Sequence, residues 1–326
     1  MNLSSRPLLD ELRAYKRSRA LAVAFKLGVL ELARQRPARI EELAIECNVD
    51  AEWACSLLAI LGDLDLVRYD GEQYELTPAG LLACDDEVSI AFAAYHFYCY
   101  EAWVELPERV RSSGAATGFH ERKIIDPAFA EAYLRAMDVI AKRNTAFLGD
   151  RCSLRRRILD VGAGPSTFCR HLATNDAGIT VTALDLPPIV SAAQRMFAYP
   201  SNYIWVASDY LSYCPDARFD AIFCSHVLEY CPQKLLVNWI GKCRQLLQPG
   251  GVAAFVVFLK EEGKNHNELN LFELSTGVNG TQLGHVCTVE EFRLVLSESG
   301  ATRIECVPLP AGASYSEYLV TVAWAS

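Results

Sequence analysis

The chain has 326 residues, of which 51% are hydrophobic and 22% charged, and its formal net charge is −9. This composition is typical of a globular protein with a large core, and the length is sufficient for two domains. The negative charge disfavours a broad phosphate-binding surface, so we expect no nucleic-acid partner.

The sequence also predicts a cytoplasmic protein without a membrane partner. No apolar run approaches the ~20 residues of a membrane span, and charged side chains interrupt the leucines of residues 1–16 where a signal peptide would be apolar. The 12 cysteines are scattered and form no C-x-x-C pair. We expect them to be reduced thiols, most of them in the core, and predict no metal site among them.

Residues 1–110 predict a helical domain that contains a hairpin. Helical periodicity covers residues 8–33, and two further helices are expected at 40–47 and 51–64. Residues 68–77 have the pattern of a small hairpin. This order of elements predicts a winged helix. Its second helix has no Lys or Arg to contact base edges, so we interpret the domain as a dimerisation unit and not as a DNA reader.

Residues 86–111 predict an apolar helix rich in aromatic side chains. Two interpretations remain open, namely a core or dimer interface and one wall of an apolar substrate pocket. Residues 111–150 are interpreted as a helical linker with substrate-pocket helices, in which a linker-like run at 112–118 precedes a helix starting at Asp126-Pro127. The candidate pocket residues are Tyr98, Trp103, Met137 and Phe272.

A glycine-rich turn follows the apolar run at residues 158–161. Gly162 and Gly164 come directly after this run and precede a helical pattern, as in turns where the backbone approaches a ligand. Asp185 ends the next apolar run, where its carboxylate can accept hydrogen bonds from both ribose hydroxyls of an adenosine ligand. A dinucleotide-binding turn has the pattern G-x-G-x-x-G, and its third glycine is missing here. Asp160, which precedes the G-x-G of Gly162 and Gly164, makes the segment similar instead to the S-adenosylmethionine loop of class I methyltransferases.

From residue 151 onward strands and helices alternate, which predicts a mostly parallel sheet with helices on both faces. A helix at 289–299 precedes the last two strands, which we expect to pair antiparallel at one edge. The predicted strands lie near 157–161, 179–184, 203–207, 219–225, 251–259, 302–308 and 317–324.

Several short motifs occur in an order that resembles one known family. They include Leu159-Asp-Val-Gly-Ala-Gly164, Leu184-Asp-Leu-Pro187, Ser225-His-Val-Leu228 and Pro249-Gly-Gly251. The chain resembles the small-molecule O-methyltransferases that join a winged-helix dimerisation domain to a class I methyltransferase domain, such as polyketide, phenolic and hydroxyindole O-methyltransferases. The resemblance implies an α/β fold with a Rossmann-like, mixed seven-stranded sheet and a homodimer. It also implies S-adenosylmethionine as cofactor, S-adenosylhomocysteine as product, and O-methylation of a small, largely apolar or aromatic metabolite.

The resemblance further implies which residues contact the cofactor. Asp160, Gly162 and Gly164 would line its methionine and ribose part, and Asp185 would bind the ribose hydroxyls. Asp209 would meet the adenine amino group, although a strand-end cap is an alternative role for it. The remaining candidates are Tyr210, which would pack on the adenine face, together with Leu186 and Ser225.

The sequence departs from the family at the catalytic positions. Family members have a general-base His after Val-Leu, and here Glu229 stands in its place. Val286 replaces the Glu that orients this His. The candidate catalytic residues are therefore Glu229, as a base with a raised pKa, together with His226 and His285.

Five alternatives remain open for these positions and for the reaction. His226 could be hydrogen-bonded to the backbone only, or proximity could suffice for an acceptor that ionises easily. The candidate catalytic residues could together hold a metal. C-, N- or S-methyl transfer, or a non-methylating relative that uses the cofactor to steer a rearrangement, is also compatible with the missing His.

Overall fold

The computed structural model describes residues 6–111, 118, 121–122, 124–152, 154, 156–280, 282–310 and 316–325. It divides into two compact units, Met1–Glu101 and Ala102–Ser326. Most of the linker-like run predicted at 112–118 lies outside the described residues. The helix predicted from Asp126 belongs to the second unit.

The first unit contains the predicted succession of helix, turn, helix and hairpin. Asp50 caps the second of these helices, because its carboxylate accepts hydrogen bonds from two backbone N–H groups of the first turn. The two short strands pair antiparallel. The elements are α1 (Arg6–Lys26), α2 (Val29–Gln35), α3 (Ile40–Glu46), α4 (Ala51–Asp63), β1 (Val67–Tyr69), β2 (Tyr74–Leu76), α5 (Pro78–Asp85) and α6 (Glu87–Val104).

Two segments predicted as single helices are each interrupted. Gly28 has φ 78°, in the left-handed region, and this residue separates α1 from α2. The apolar helix predicted at 86–111 ends at Val104, and α7 (Leu106–Arg111) follows. Pro107 explains this second break, since proline lacks an N–H group and its ring clashes with the carbonyl one turn earlier.

The second unit is built on a seven-stranded sheet with the order β5-β4-β3-β6-β7-β9-β8. The first five strands in this order are parallel, and β9 pairs antiparallel with both β7 and β8. The predicted α/β fold with a mixed seven-stranded sheet is therefore confirmed, and β7 starts earlier than expected. The strands are β3 (Arg157–Val161), β4 (Thr180–Asp185), β5 (Tyr203–Ala207), β6 (Phe219–Ser225), β7 (Leu247–Phe258), β8 (Ala301–Pro308) and β9 (Glu317–Trp324).

Helices cover both faces of this sheet, and the sheet separates two apolar cores. Along β9, Tyr318, Val320 and Val322 join one buried cluster, whereas Leu319 joins the other. This alternation is the period-two pattern of a strand that is buried on both faces. The helices are α8 (Pro127–Arg151), α9 (Thr167–Asn175), α10 (Pro187–Met196), α11 (Gln233–Leu246), α12 (Asn267–Asn279) and α13 (Val289–Glu298).

The topology brings distant residues to one edge of the sheet. The carboxyl ends of the parallel strands β3, β4 and β6 lie side by side, which places Asp185 and Ser225 at this edge. Because β9 is antiparallel, its first residue, Glu317, pairs with Phe258 at the end of β7. Glu317 therefore lies at the same edge although its strand runs in the opposite direction.

All twelve cysteines lie in the described part of the chain and are free thiols. Among the helices that the structure describes, none combines the length and the hydrophobicity needed to cross a membrane.

Candidate functional site

The loop after β3 has a backbone that favours glycine. Gly162 and Gly164 have φ values of 63° and 51°, in the left-handed region. A Cβ atom at position 162 would lie 2.3 Å from Cγ2 of Val227. Position 162 is therefore restricted to glycine by both conformation and space, and the loop lies directly against the segment that follows β6.

Asp185 holds this loop in place. The backbone N–H of Gly164 donates to Oδ2 of Asp185 and that of Leu186 donates to Oδ1, each at 2.7 Å. Burial raises the pKa of Asp185 to about 6, although the two N–H groups act in the opposite direction. A carboxylate oxygen has two acceptor positions, so each oxygen retains one for a ligand hydroxyl.

Asp160 is buried beneath the loop. The hydroxyl of Ser166 donates to Oδ2 of Asp160, and Ser166 itself has a left-handed backbone at the start of α9. Burial raises the pKa of Asp160 to about 7, and the hydrogen bonds from Ser166 and Cys169 oppose this effect. The side chain of Ser166 therefore ties the start of α9 to the end of β3.

The two residues expected at the adenine differ in their surroundings. Asp209 is exposed, and its Oδ1 accepts the backbone N–H groups of Leu211 at 2.8 Å and Ser212 at 3.2 Å. The capping role considered for Asp209 is therefore present. Tyr210 is buried, with its ring centroid 4.2 Å from that of Trp239. Its ring belongs to the core beneath the site, which does not favour the expected stacking on adenine.

The other two candidate cofactor residues are more accessible. Leu186 follows Asp185 directly, and 38% of its surface is exposed. Ser225 is half-buried at the last position of β6. Both therefore lie at the carboxyl edge, next to the glycine loop.

His226 lies between two carboxylates. Its Nδ1 is 3.1 Å from Oε1 of Glu229, and its Nε2 is 2.9 Å from Oε1 of Glu317. Desolvation lowers the pKa of His226, but the hydrogen bonds and charges of the two carboxylates outweigh this effect and raise it to about 10. At neutral pH the ring is therefore an imidazolium that donates from both nitrogens. It is not bonded only to backbone, as one interpretation of the sequence held.

Glu229 is enclosed by protein. Only 2% of its surface is exposed, and its Oε1 accepts the backbone N–H of Phe258 at 2.8 Å in addition to His226. Its Oε2 is buried and lacks a hydrogen-bond partner among the described residues. This burial does not favour Glu229 as the base that its sequence position indicated, because a base must reach its substrate. It favours Glu229 as the residue that orients His226.

Glu317 is the residue that sequence reasoning missed. Its side chain is 15% exposed, and both of its carboxylate oxygens lie 3.2 Å from Nδ2 of Asn144 on α8. The available signal was a charged residue at the first position of an otherwise apolar strand. Local sequence did not indicate that this strand would bring the charge to His226.

His285 supports the site through its backbone. Its N–H donates to the carbonyl of Glu229 at 2.9 Å, whereas its Nε2 lies 3.5 Å from Glu291. His285, Cys287 and Glu291 have ligand atoms within 4.8 Å of one another. Within the described residues, His226, Glu229 and His285 form no such group, so the geometry does not favour the metal alternative.

A group of aromatic rings begins at His226. The His226 and Phe258 centroids are 4.3 Å apart, and Phe272 meets Phe258 edge-on at 4.9 Å. Tyr230 lies 6.3 Å from Phe272. Burial raises the pKa of Tyr133 on α8, with smaller contributions from Tyr230 and Asp185. Tyr133, which the sequence analysis did not identify, is therefore close enough to Tyr230 and Asp185 for their charges to affect its pKa.

The other candidate pocket residues are Met137, Trp103 and Tyr98. Met137 is half-buried on α8, one helical turn after Tyr133, and Trp103 is 37% exposed. Tyr98 belongs to the first unit, where Lys26 donates to its hydroxyl at 3.0 Å.

Comparison with known proteins finds relatives both in sequence and in fold. A family model described as a methyltransferase domain matches residues 133–305. The O-methyltransferase SfmM3 of Streptomyces lavendulae is 26% identical, and the match covers 89% of this chain and 93% of that protein. The structure of the mitomycin 7-O-methyltransferase MmcR superimposes with a TM-score of 0.85 at 19% identity, covering 99% of this chain and 98% of that chain. Human N-acetylserotonin methyltransferase in complex with SAM gives 0.82 at 18% identity, covering 100% and 99%.

Proposed function

The chain belongs to the methyltransferase-domain family, and we propose that it transfers a methyl group from S-adenosylmethionine to a hydroxyl of a small aromatic metabolite. One observation carries this proposal. The loop with Gly162 and Gly164, held by Asp185, lies directly against the segment that begins with His226. A site for an adenosine ligand is thereby adjacent to a charged group lined by aromatic rings.

The cofactor contacts that we propose follow from this arrangement. Asp185 would accept both ribose hydroxyls, while the backbone of Gly162 and Gly164 leaves space for the ligand. Leu186 offers an apolar surface to the adenine, and Asp209 keeps an acceptor for its amino group. When bound, S-adenosylmethionine supplies an electrophilic methyl group on a positively charged sulfur.

The proposed acceptor is aromatic because of the rings beside His226. Phe258 and Phe272 offer apolar surface to a ring of similar size. The names of SfmM3 and MmcR describe O-methyl transfer, which supports a hydroxyl as the methylated group over carbon, nitrogen or sulfur.

We further propose a homodimer that forms through a winged helix in residues 1–110 and that acts in the cytoplasm. Apolar side chains are largely exposed there, including Leu12 at 62%, Trp53 at 80% and Leu82 at 73%. A partner chain that covers such residues would remove apolar surface from water. The twelve free thiols support a reducing compartment.

Transfer of a labelled methyl group tests the proposed function. The protein is incubated with S-adenosylmethionine carrying a trideuterated methyl group and with a panel of phenols and catechols. Mass spectrometry should detect the labelled methyl ether, and S-adenosylhomocysteine should raise the melting temperature. A protein that neither binds S-adenosylhomocysteine nor labels any acceptor would contradict the proposal.

A further inference from the structure

We propose that Glu317 is the carboxylate that accepts the acceptor's proton during methyl transfer, while His226 and Glu229 hold it in position. This inference rests on the proposed function. It starts from a chain of three side chains across the carboxyl edge of the sheet, in which Glu229, His226 and Glu317 are joined by hydrogen bonds of 3.1 and 2.9 Å.

His226 is not available as a base in this arrangement. A carboxylate lies within hydrogen-bond distance of each ring nitrogen, and a carboxylate accepts but does not donate hydrogen bonds. Both nitrogens therefore carry protons, and the ring has no lone pair left for a further proton. The raised pKa of His226 agrees with this geometry.

Glu229 is the buried end of this row of three hydrogen-bonded side chains. Its Oε1 serves both His226 and the backbone N–H of Phe258, and the side chain is almost completely buried. The N–H of His285 binds the Glu229 carbonyl, so backbone as well as side chain are held. Glu229 is placed to fix the orientation of His226, and a substrate has no access to it.

Glu317 is the partly exposed end of the same row of side chains. Its Oε1 accepts from His226 and from Asn144. Among the residues that the structure describes, its Oε2 accepts one hydrogen bond, from Asn144 at 3.2 Å. An ionised carboxylate oxygen has two acceptor positions, so Oε2 retains one for a substrate hydroxyl. The Glu317 side chain is partly exposed, and Phe258, whose ring packs against His226, lies opposite it in the sheet, so we expect a substrate to reach this carboxylate.

The proposed cofactor loop lies next to His226. Glu317 pairs with Phe258 at the carboxyl edge, and Val227, the neighbour of His226, abuts Gly162. The carboxylate contacts His226, and the proposed cofactor loop lies against the next residue, Val227. This proximity would let one acceptor meet both the carboxylate and the methyl group, as transfer in a single displacement requires.

The proposed step is a single displacement that moves a methyl group and a proton. The acceptor oxygen forms a bond to the methyl carbon, and the carbon–sulfur bond breaks with its electron pair remaining on sulfur, which becomes neutral. The acceptor's O–H proton passes to Oε2 of Glu317, which becomes a carboxylic acid and later releases the proton to water. The imidazolium of His226 holds the other oxygen of Glu317 throughout.

A pair of phenols with different acidities tests this role. Catechol keeps its proton at neutral pH, whereas the nitro group of 4-nitrocatechol makes its phenol far more acidic. In Glu317→Gln the amide oxygen can still accept from His226, so shape is kept and only the base is lost. We expect kcat for catechol to fall by ~10²-fold or more and kcat for 4-nitrocatechol to fall by less than about fivefold. KM and S-adenosylhomocysteine binding should change little.

Glu305→Gln is the matched control, because Glu305 is an exposed glutamate on the neighbouring strand β8. Its rates on both phenols should equal those of the wild type. If Glu317→Gln does not bind S-adenosylhomocysteine, Glu317→Asp replaces it and should show a smaller loss with the same preference.

The other outcomes separate two failures. Equal losses on both phenols, or no loss on either, would overturn the role of Glu317 and leave the proposed function intact. A wild type that binds S-adenosylhomocysteine but methylates neither phenol would overturn both this role and the phenolic acceptor. Absence of cofactor binding in the wild type would contradict the proposed function itself.

Discussion

Nε2 of His226 lies 2.9 Å from Oε1 of Glu317, although 91 positions separate the two residues in the chain. His226 follows the parallel strand β6, and Glu317 begins the antiparallel strand β9. β6 ends and β9 begins at the same edge of the sheet, so the imidazolium of His226 and the carboxylate of Glu317 meet there. The contact places an imidazolium between two carboxylates at the proposed active site.

This charge arrangement predicts how stability depends on pH. The pKa of His226 is raised from 6.5 to about 10 in the folded protein, so its contribution to stability is complete below pH 6.5 and is lost as the pH rises through about 10. His226→Asn removes the charge and tolerates the left-handed backbone at φ 53°. The difference in unfolding free energy between wild type and variant should therefore shrink between pH 6.5 and 10.

Urea denaturation at several pH values in the presence of a reductant measures this difference. His171→Asn is the control, because His171 is exposed on α9. A difference between wild type and His226→Asn that stays constant over this range would mean that His226 is not charged in the folded protein.

The cofactor site predicts that Asp185→Ala weakens S-adenosylhomocysteine binding by ~1–3 kcal/mol, the cost of losing charge-assisted hydrogen bonds. The loss includes the loop contact, because Asp185 also accepts the N–H of Gly164. Isothermal titration calorimetry measures the affinity. Asp176→Ala, at an exposed turn after α9, should bind as the wild type does. Unchanged affinity in Asp185→Ala would remove this residue from the cofactor site.

The glycine loop predicts different costs for two alanine substitutions. Gly164→Ala meets no atom within 4 Å, so it should cost only the ~1–2 kcal/mol of a left-handed alanine. Gly162→Ala has the same strain and in addition places its Cβ 2.3 Å from Cγ2 of Val227. We therefore expect Gly162→Ala to be the more destabilising of the two.

Chemical denaturation of both variants measures this difference, and Val227→Ala identifies its cause. In the double variant Gly162→Ala/Val227→Ala the clash is removed, so the two changes should cost less together than the sum of their separate effects. Additive effects would show that contact with Val227 does not restrict position 162.

The exposed apolar side chains of the first unit predict the oligomeric state. Light scattering at micromolar concentration should give the mass of a dimer, and Leu82→Glu should shift the equilibrium towards the monomer. Leu294→Glu is the matched control, because this leucine is 60% exposed on α13 of the second unit. A monomeric wild type would contradict dimerisation.

The sequence by itself determined the positions of the strands and of the glycine-rich loop. The parallel strands are largely apolar runs bounded by turn residues, as a sheet that is buried on both faces requires. The edge strand β8 also contains Thr302, Arg303 and Glu305, and the sequence predicts it and the other six strands to within a few residues. Gly162, Gly164 and Asp185 were identifiable as candidates because their proposed role depends on positions relative to strand ends, which are local. Helix interruptions at Gly28 and Pro107 were visible as residue types, but the apolar periodicity continued across them.

Only the tertiary structure decided the catalytic arrangement. The position of Glu229 in the sequence indicated a base, but its burial depends on helices packed from elsewhere in the chain. The contact of Glu317 with His226 depends on the direction and neighbour of β9, which no local pattern of residues specifies. Sequence patterns report which face of an element is apolar, whereas the charge state of a buried side chain depends on which distant groups lie within a few ångströms of it.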